Sequence, residues 1–140
     1  MSFETFKKYG LIFREAVKED FPKILAFVDI FLRRDYFLRR SELFTKMEMA
    51  TMIIVFHNDK LVALAVMGKN KTLWHLLVHP KYRGKHIGET LVQKLRPEII
   101  RSKLDQSTGD PTGFYEKIGY RIEASKKGRK RNINIMERAV

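Results

Sequence analysis

Residues 83–88 read Arg83-Gly84-Lys85-His86-Ile87-Gly88, a run whose residue types suit a phosphate group. The apolar pair Leu77-Val78 ahead of it ends an expected strand. Behind it, Ile87, Leu91, Val92 and Leu95 share one helical face, which predicts a helix over 84–95. A turn between strand and helix then presents the first N–H groups of the helix, which have no intrahelical partner, together with the positive end of the macrodipole. Glycines let a bulky anion approach the backbone, and Arg83 and Lys85 add formal charge. The chemistry implied is pyrophosphate binding. The run is not a P-loop, because no Gly-Lys-Ser/Thr follows at the required spacing, and it lacks the three ordered glycines of the dinucleotide fingerprint. The same residues also fit an exposed basic helix start whose glycines serve only the turn.

The elements that must position this turn follow from periodicity. Residues 10–16 predict a first strand, and Phe21, Ile24, Leu25, Val28 and Phe31 predict a helix over Asp20–Leu32. A second helix is expected over Tyr36–Ala50, with Leu43, Phe44 and Met47 inward. Thr51–Phe56 and Leu61–Met67 are apolar and β-branched around the turn His57-Asn58-Asp59-Lys60, a hairpin pattern. Thr72–Val78 is a fourth strand, stopped by Pro80. Pro97 ends the helix after the phosphate turn, and Glu98–Leu104 is a fifth strand. Asp110-Pro111 predicts a helix start, with Pro111 at its first position, and Gly119 a left-handed cap at its end. Tyr120–Ser125 and Asn132–Met136 are the last strands, joined by the basic turn 126–131. Consecutive strands imply antiparallel pairs, and the strand–helix–strand unit implies a parallel one. The fold class expected is α/β (α+β), with one mixed central sheet of about seven strands and about four flanking helices in a single domain over 1–140.

The turn resembles the acetyl-CoA signature of the GNAT superfamily of N-acetyltransferases, which runs Arg or Gln, two residues, Gly, one residue, then Gly or Ala. Arg83 takes the first position and Gly88 the last, while His86 stands where the middle glycine is usual. The segment Gly113-Phe114-Tyr115-Glu116-Lys117-Ile118-Gly119-Tyr120 is similar to a later helix of the same family, in the right order and at a usual distance. Thr108 stands seven residues before Tyr115, where the family often has Asn. The order of strands and helices matches the family across nearly the whole chain.

The resemblance implies direct attack of an amine on the acetyl thioester of acetyl-CoA. It implies that the main chain at Leu77 and Val78 pairs with the pantetheine arm, through a strand that is splayed or bulged, and that Arg83, Gly84, Lys85, His86, Ile87 and Gly88 hold the pyrophosphate. A side chain at His86 would crowd or contact that group. Tyr115 is the implied general acid, its ordinary pKa of about 10 being close to that of a thiol. The family often carries a Glu or His on the fourth strand as base. Here that strand offers His75, which strict alternation sets on the face opposite Trp74 and Leu76. Tyr115 also fits a packing role, and His75 a structural one. Glu42, Glu48 or a water chain are alternative bases, and His79 belongs to the turn before Pro80.

Bulk composition narrows the partners. The chain has 140 residues, 28 basic against 16 acidic, for a net charge of +12. Such an excess favours an anionic partner. By resemblance, the acceptor lies near Arg33-Arg34, Arg39-Arg40 and the turn 126–131, so a primary amine in an acidic context is expected: a protein or peptide, a small molecule or an aminoacyl-tRNA. The basic turn also fits a solvated hairpin tip. A second reading is a nucleic-acid-binding member of the fold whose CoA site is altered or unused, suggested by His86 and Thr108. There is no cysteine, so disulfides and thiolate chemistry are excluded. No metal-ligand spacing occurs and no metal is expected. No apolar run approaches the ~18 residues of a membrane span, and the N-terminus lacks a signal-peptide core. A cytoplasmic monomer or homodimer is expected.

Overall fold

The computed structural model describes residues 3–32, 50–103, 111–127 and 132–138. The second helix expected over 36–50 falls almost wholly outside them, as do Glu42, Glu48, Thr108, the arginine pairs at 33–34 and 39–40, and residues 128–131. Among the described residues the order is β1 (Phe6–Lys8), β2 (Leu11–Glu15), α1 (Phe21–Leu32), β3 (Thr51–His57), β4 (Lys60–Gly68), β5 (Thr72–Val78), α2 (Ile87–Leu95), β6 (Ile99–Lys103), α3 (Thr112–Lys117), β7 (Tyr120–Lys127) and β8 (Asn132–Arg138).

All eight strands join one sheet in the order β1-β2-β3-β4-β5-β6-β8-β7. The pair β5–β6 is parallel and the others are antiparallel. The sheet has eight strands rather than seven because Phe6–Lys8 adds an edge strand. That strand is too short for a periodic signal. It is held by Phe6 stacked on Phe13, ring centroids 4.6 Å apart, and by the left-handed turn Tyr9-Gly10.

The sheet separates two apolar layers. On one face α1 sets Ile24, Phe27 and Val28 against Met52, Ile54, Phe56, Leu64, Val66 and Leu77. On the other, Ile87, Leu91 and Val92 of α2 and Tyr115 of α3 meet Phe13, Ile53, Val55, Ala63, Ala65, Leu73, Ile100 and Met136. Strands β3 and β4 are buried on both faces, which is why they read as continuous apolar runs instead of alternating. Each fully buried Leu or Ile contributes about 1.5–3 kcal/mol, so three such anchors per helix fix α1 and α2 to opposite faces.

Two helix starts differ from expectation. Helix α2 begins at Ile87 and not at Gly84, because Gly84 (φ +79°) and His86 (φ +63°) hold the chain in left-handed conformations that no helix continues. Helix α3 begins at Thr112, with Pro111 as the flanking residue whose carbonyl takes the Tyr115 N–H at 3.2 Å. Its end is as expected: Gly119 (φ +104°) donates its N–H to the Glu116 carbonyl at 3.2 Å.

The entry to α1 is pinned electrostatically. Arg14 on β2 donates from Nη1 and Nη2 to Asp20 Oδ2 and Oδ1 at 2.8 and 2.7 Å, and the Val17 N–H donates to the same carboxylate at 2.8 Å. Asp20 is buried, and the hydrogen bonds from Arg14 hold its carboxyl below the usual carboxylate range. A carboxyl depressed in the folded state stabilises the fold fully above its unfolded pKa of about 3.9, and that stabilisation is lost as pH falls through the folded value. Asp20→Asn is therefore expected to lower stability by about 1–3 kcal/mol at pH 7. The difference from the parent protein should close in thermal melts below pH 3.9 or so. A gap that persists undiminished at low pH would show that the pair is not what pins α1.

Candidate active site

The site is built where β5 loses a neighbour. Strand β5 pairs with β4 along its whole length, but with β6 only at Thr72↔Ile99 and Leu73↔Ile100. From Trp74 onward the β6-facing edge of β5 has no strand partner among the described residues, while β6 continues alongside β8. The register slips where the strands part: Met67 faces Leu73 and Val66 faces His75, leaving Trp74 as the extra residue of a bulge. Gly68 makes room for it. A methyl group at Gly68 would run into the Trp74 indole.

The bulge overturns strict alternation for His75. Trp74 packs against the α1-face core, and His75 stands opposite Val66, a member of the same core. His75 therefore shares Trp74's face, although it is opposite Leu76 as expected. Leu76 and Val78 turn to the α2 face, and Leu77, 5% exposed, buries its side chain under α1. With the His79 N–H bonded to the Val62 carbonyl and Leu77 opposite Leu64, the Leu77 N–H and C=O also face β4, so the main chain left on the bare edge is that of Leu76 and Val78, which corrects the expected role of Leu77.

The phosphate turn lies at the end of the bare edge. His79 opens it: its N–H bonds to the Val62 carbonyl at 2.8 Å, and its Nδ1 accepts the Lys81 N–H at 3.1 Å. Arg83, Gly84, Lys85 and His86 are exposed. Ile87 is buried and anchors the first turn of α2 in the core, leaving its main chain outward. The first helical bond is Thr90 N–H to the His86 carbonyl, 3.0 Å, and Thr90 Oγ1 donates to the same oxygen at 2.8 Å. The N–H groups of Ile87, Gly88 and Glu89 precede it and remain free of helical partners. Left-handed backbone at position 86 accounts for the glycine usual there. The His86 ring leans away along the helix, its Nδ1 3.2 Å from Glu89 Oε2 and its centroid 6.3 Å from the Tyr9 ring.

Gly88 is where strand, turn and α3 meet. A methyl there would lie 3.2 Å from Phe114 and 3.6 Å from Leu76. Phe114 crosses Tyr115 edge-on at 5.2 Å, and Tyr115 is 5% exposed in the core that holds Leu73 and Ile87. Burial pushes the Tyr115 phenol well above its ordinary range, so it stays protonated and the close match to a thiol expected from its ordinary pKa does not hold. Its hydroxyl has no hydrogen-bond partner among the described residues.

Six residues are too few to make α3 stable alone. It is moored by a buried polar chain: Asn134 Nδ2 donates to Thr112 Oγ1 at 3.0 Å, Ser102 Oγ is 3.2 Å from the same atom, and Ser125 Oγ donates to Asn134 Oδ1 at 2.8 Å. Sequence reading missed these positioning residues, because small polar residues on strands ordinarily face solvent. Among the described residues no three His, Asp or Glu side chains gather as a metal site requires, and no helix is long and apolar enough to cross a membrane.

A bulged strand parted from its parallel neighbour, with a helix N-terminus at the end of the bare edge, defines an acetyltransferase-like domain. The acetyltransferase (GNAT) domain family matches residues 48–122, more than half of the chain, and the protein belongs to this acyltransferase family. The chain is 28% identical over 71 aligned positions to an uncharacterized N-acetyltransferase, ycf52, of Pyropia yezoensis. That alignment covers 45% of this chain and only 41% of the relative. The fold is similar to the ribosomal-protein-S18-alanine N-acetyltransferase of Escherichia coli, with a TM-score of 0.71 at 15% identity over 93% of this chain and 95% of that one. It is equally similar to Arabidopsis thaliana Naa50 in complex with the bisubstrate analogue CoA-Ac-MVNAL, with a TM-score of 0.72 at 14% identity over 94% and 99%.

Trp74 is the sole tryptophan, so the bulge reports on itself. Gly68→Ala is expected to displace the indole, lowering stability by about 1–3 kcal/mol and shifting intrinsic emission to the red. Unchanged melting and emission would mean that the indole does not rest on Gly68.

Proposed function

We propose that this protein transfers the acetyl group of acetyl-CoA to a primary amine in an acidic context. A protein or peptide N-terminus is the leading acceptor, ahead of small amines or aminoacyl-tRNA. The observation that carries the reading is the parting of β5 from β6 beside the free N-terminus of α2. A bare strand edge suits the two amide groups of a pantetheine arm, which it would pair as it pairs an added strand. The α2 N–H groups and Arg83 suit the pyrophosphate, and Gly88 leaves the space that a side chain would close against Phe114.

Acetyl-CoA, when bound, supplies the activated acetyl thioester. The residues of this chain do the rest. The main chain of the bare edge, at Leu76 and Val78, orients the arm and turns one N–H toward the thioester oxygen, where negative charge develops. Tyr115, kept neutral by burial, holds a proton for the departing sulfur. Because α2 and Tyr115 stand on one face of the sheet, the amine approaches from the α1 face, where Trp74 and His75 stand. His75 takes up the amine's proton, directly or through water.

Peptide N-termini lead because one fold neighbour is named for a ribosomal-protein alanine and another was captured with a CoA-linked peptide. The acidic context follows from the charge of +12.

Tyr115→Phe is expected to lower turnover by about a hundredfold at saturating substrate. Acetyl-CoA affinity should change little, and melting temperature should not fall, since no described group loses a bond. Undiminished turnover would reduce Tyr115 to a packing residue. A thiol-release screen over acidic and basic peptides, free amines and aminoacyl-tRNA tests the acceptor. Acidic peptides should react about tenfold faster than basic ones at low ionic strength, with the advantage shrinking as salt is added. Equal rates for both peptides would remove the acidic assignment. Salt-sensitive nucleic-acid binding with no CoA affinity would replace the enzyme reading altogether.

A further inference from the structure

Beside the phosphate turn, a second group of cations gathers on an aromatic ring that the acetyl-transfer chemistry does not use. Tyr82 is half-buried against the α2-face core. Its hydroxyl is hydrogen-bonded to His57 Nδ1 at 2.7 Å, and the rings of His57 and His79 meet it edge-on at 5.6 and 6.0 Å. Core, hydroxyl and edges are thus all held, so the ring is a fixed platform. Two ammonium groups approach it: Lys85 Nζ at 5.3 Å from the ring centre and Lys60 Nζ at 5.8 Å. Lys85 comes from the phosphate turn. Lys60 comes from the tip of the β3–β4 hairpin, brought there by the His57 contact.

This patch is not neutralised. Asp20 and Glu123 pair with Arg14 and Arg121, and Glu89 is hydrogen-bonded to His86. Lys60, Lys81, Arg83 and Lys85 have no carboxylate partner among the described residues. The excess is felt locally. His79 is held below its ordinary pKa by burial first, and then by Lys60, Lys81 and Arg83. Ammonium groups converging on one ring repel each other, and an anion between them removes that cost.

We propose that Lys60 and Lys85, steadied over the Tyr82 ring, form a second anion subsite that binds the phosphate on the ribose of the CoA nucleotide. The inference rests on the acetyl-CoA reading of the neighbouring turn. The α2 N–H groups and Arg83 answer the pyrophosphate. Lys60, from a hairpin outside the turn, adds a charge that the turn itself does not supply, and the nucleotide of CoA carries one phosphate more than its pyrophosphate. The protein then distinguishes CoA from 3′-dephospho-CoA.

The test is calorimetric titration of the whole chain with acetyl-CoA and with acetyl-3′-dephospho-CoA. The parent protein should bind acetyl-CoA about tenfold more tightly, the worth of one charge-assisted hydrogen bond. Lys60→Gln should abolish most of that preference and leave affinity for the dephospho form unchanged. Lys81→Gln, which removes a neighbouring exposed charge that is not on the ring, should keep the preference. Equal affinity of the parent for both forms overturns the subsite while leaving the cofactor reading intact. Loss of affinity for both forms in Lys60→Gln, or an equal effect of Lys81→Gln, overturns it in favour of a diffuse field. Lys60→Gln that leaves both affinities unchanged but weakens binding of an RNA oligonucleotide assigns the lysine to nucleic acid instead. Absence of binding to either form sinks both readings.

Discussion

A strand edge inside a sheet is ordinarily saturated by its neighbour, because unpaired main-chain N–H and C=O groups cost free energy when they are shielded from water. In this protein β5 gives up that saturation after Leu73. The concession is local and has a visible cause. Trp74 occupies a bulge position that only a residue without a side chain at 68 can accommodate, and the slipped register turns β5 away from β6. Everything that could act on a ligand is arranged around this opening. Helix α2 starts at one end of the bare edge, α3 lies across its side, and His75 is carried to the far face by the same bulge.

The opening demands rigid surroundings, and the two helices that flank it are secured by different means. Helix α2 is held by apolar burial of Ile87, Leu91 and Val92, with the Thr90–His86 bonds closing its first turn. Helix α3 is short and depends on the buried chain Ser102–Thr112–Asn134–Ser125, which ties it to β6, β8 and β7. Polar anchoring suits that place. A hydrogen bond fixes the rotation of a six-residue helix, and hence the direction of Phe114 and Tyr115, more narrowly than apolar contact does.

Charge follows the same plan. The Asp20 carboxylate is matched locally by Arg14, and Glu89 is hydrogen-bonded to His86. The basic side chains around the phosphate turn and the β3–β4 tip are left unmatched. Unmatched charge of one sign on a surface favours anions there.

Much of this was legible in the residues themselves. Apolar periodicity located α1, α2 and strands β2 to β8 to within a few residues, since burial on one or both faces writes a period of 3.6 or 2 or an unbroken apolar run. The turn at 83–88 and the helix bearing Tyr115 were readable because glycine, proline and charge at fixed offsets have few structural meanings. Strand β1 was not, being three residues stabilised by one ring stack. Nor were the places of His75, Tyr82, Lys60 and Asn134. A bulge adds one residue to the count and breaks the alternation from which facing is inferred, and Gly68 permits that bulge only because Trp74 lies against it across the strand pair. Contacts between residues 57 and 82, or 102 and 134, arise from strand order. Sequence determined most of the described strands and helices and the turn between β5 and α2. Tertiary structure alone decided which edge is left open and which side chains gather at it, because those depend on the register between strands that no single strand encodes.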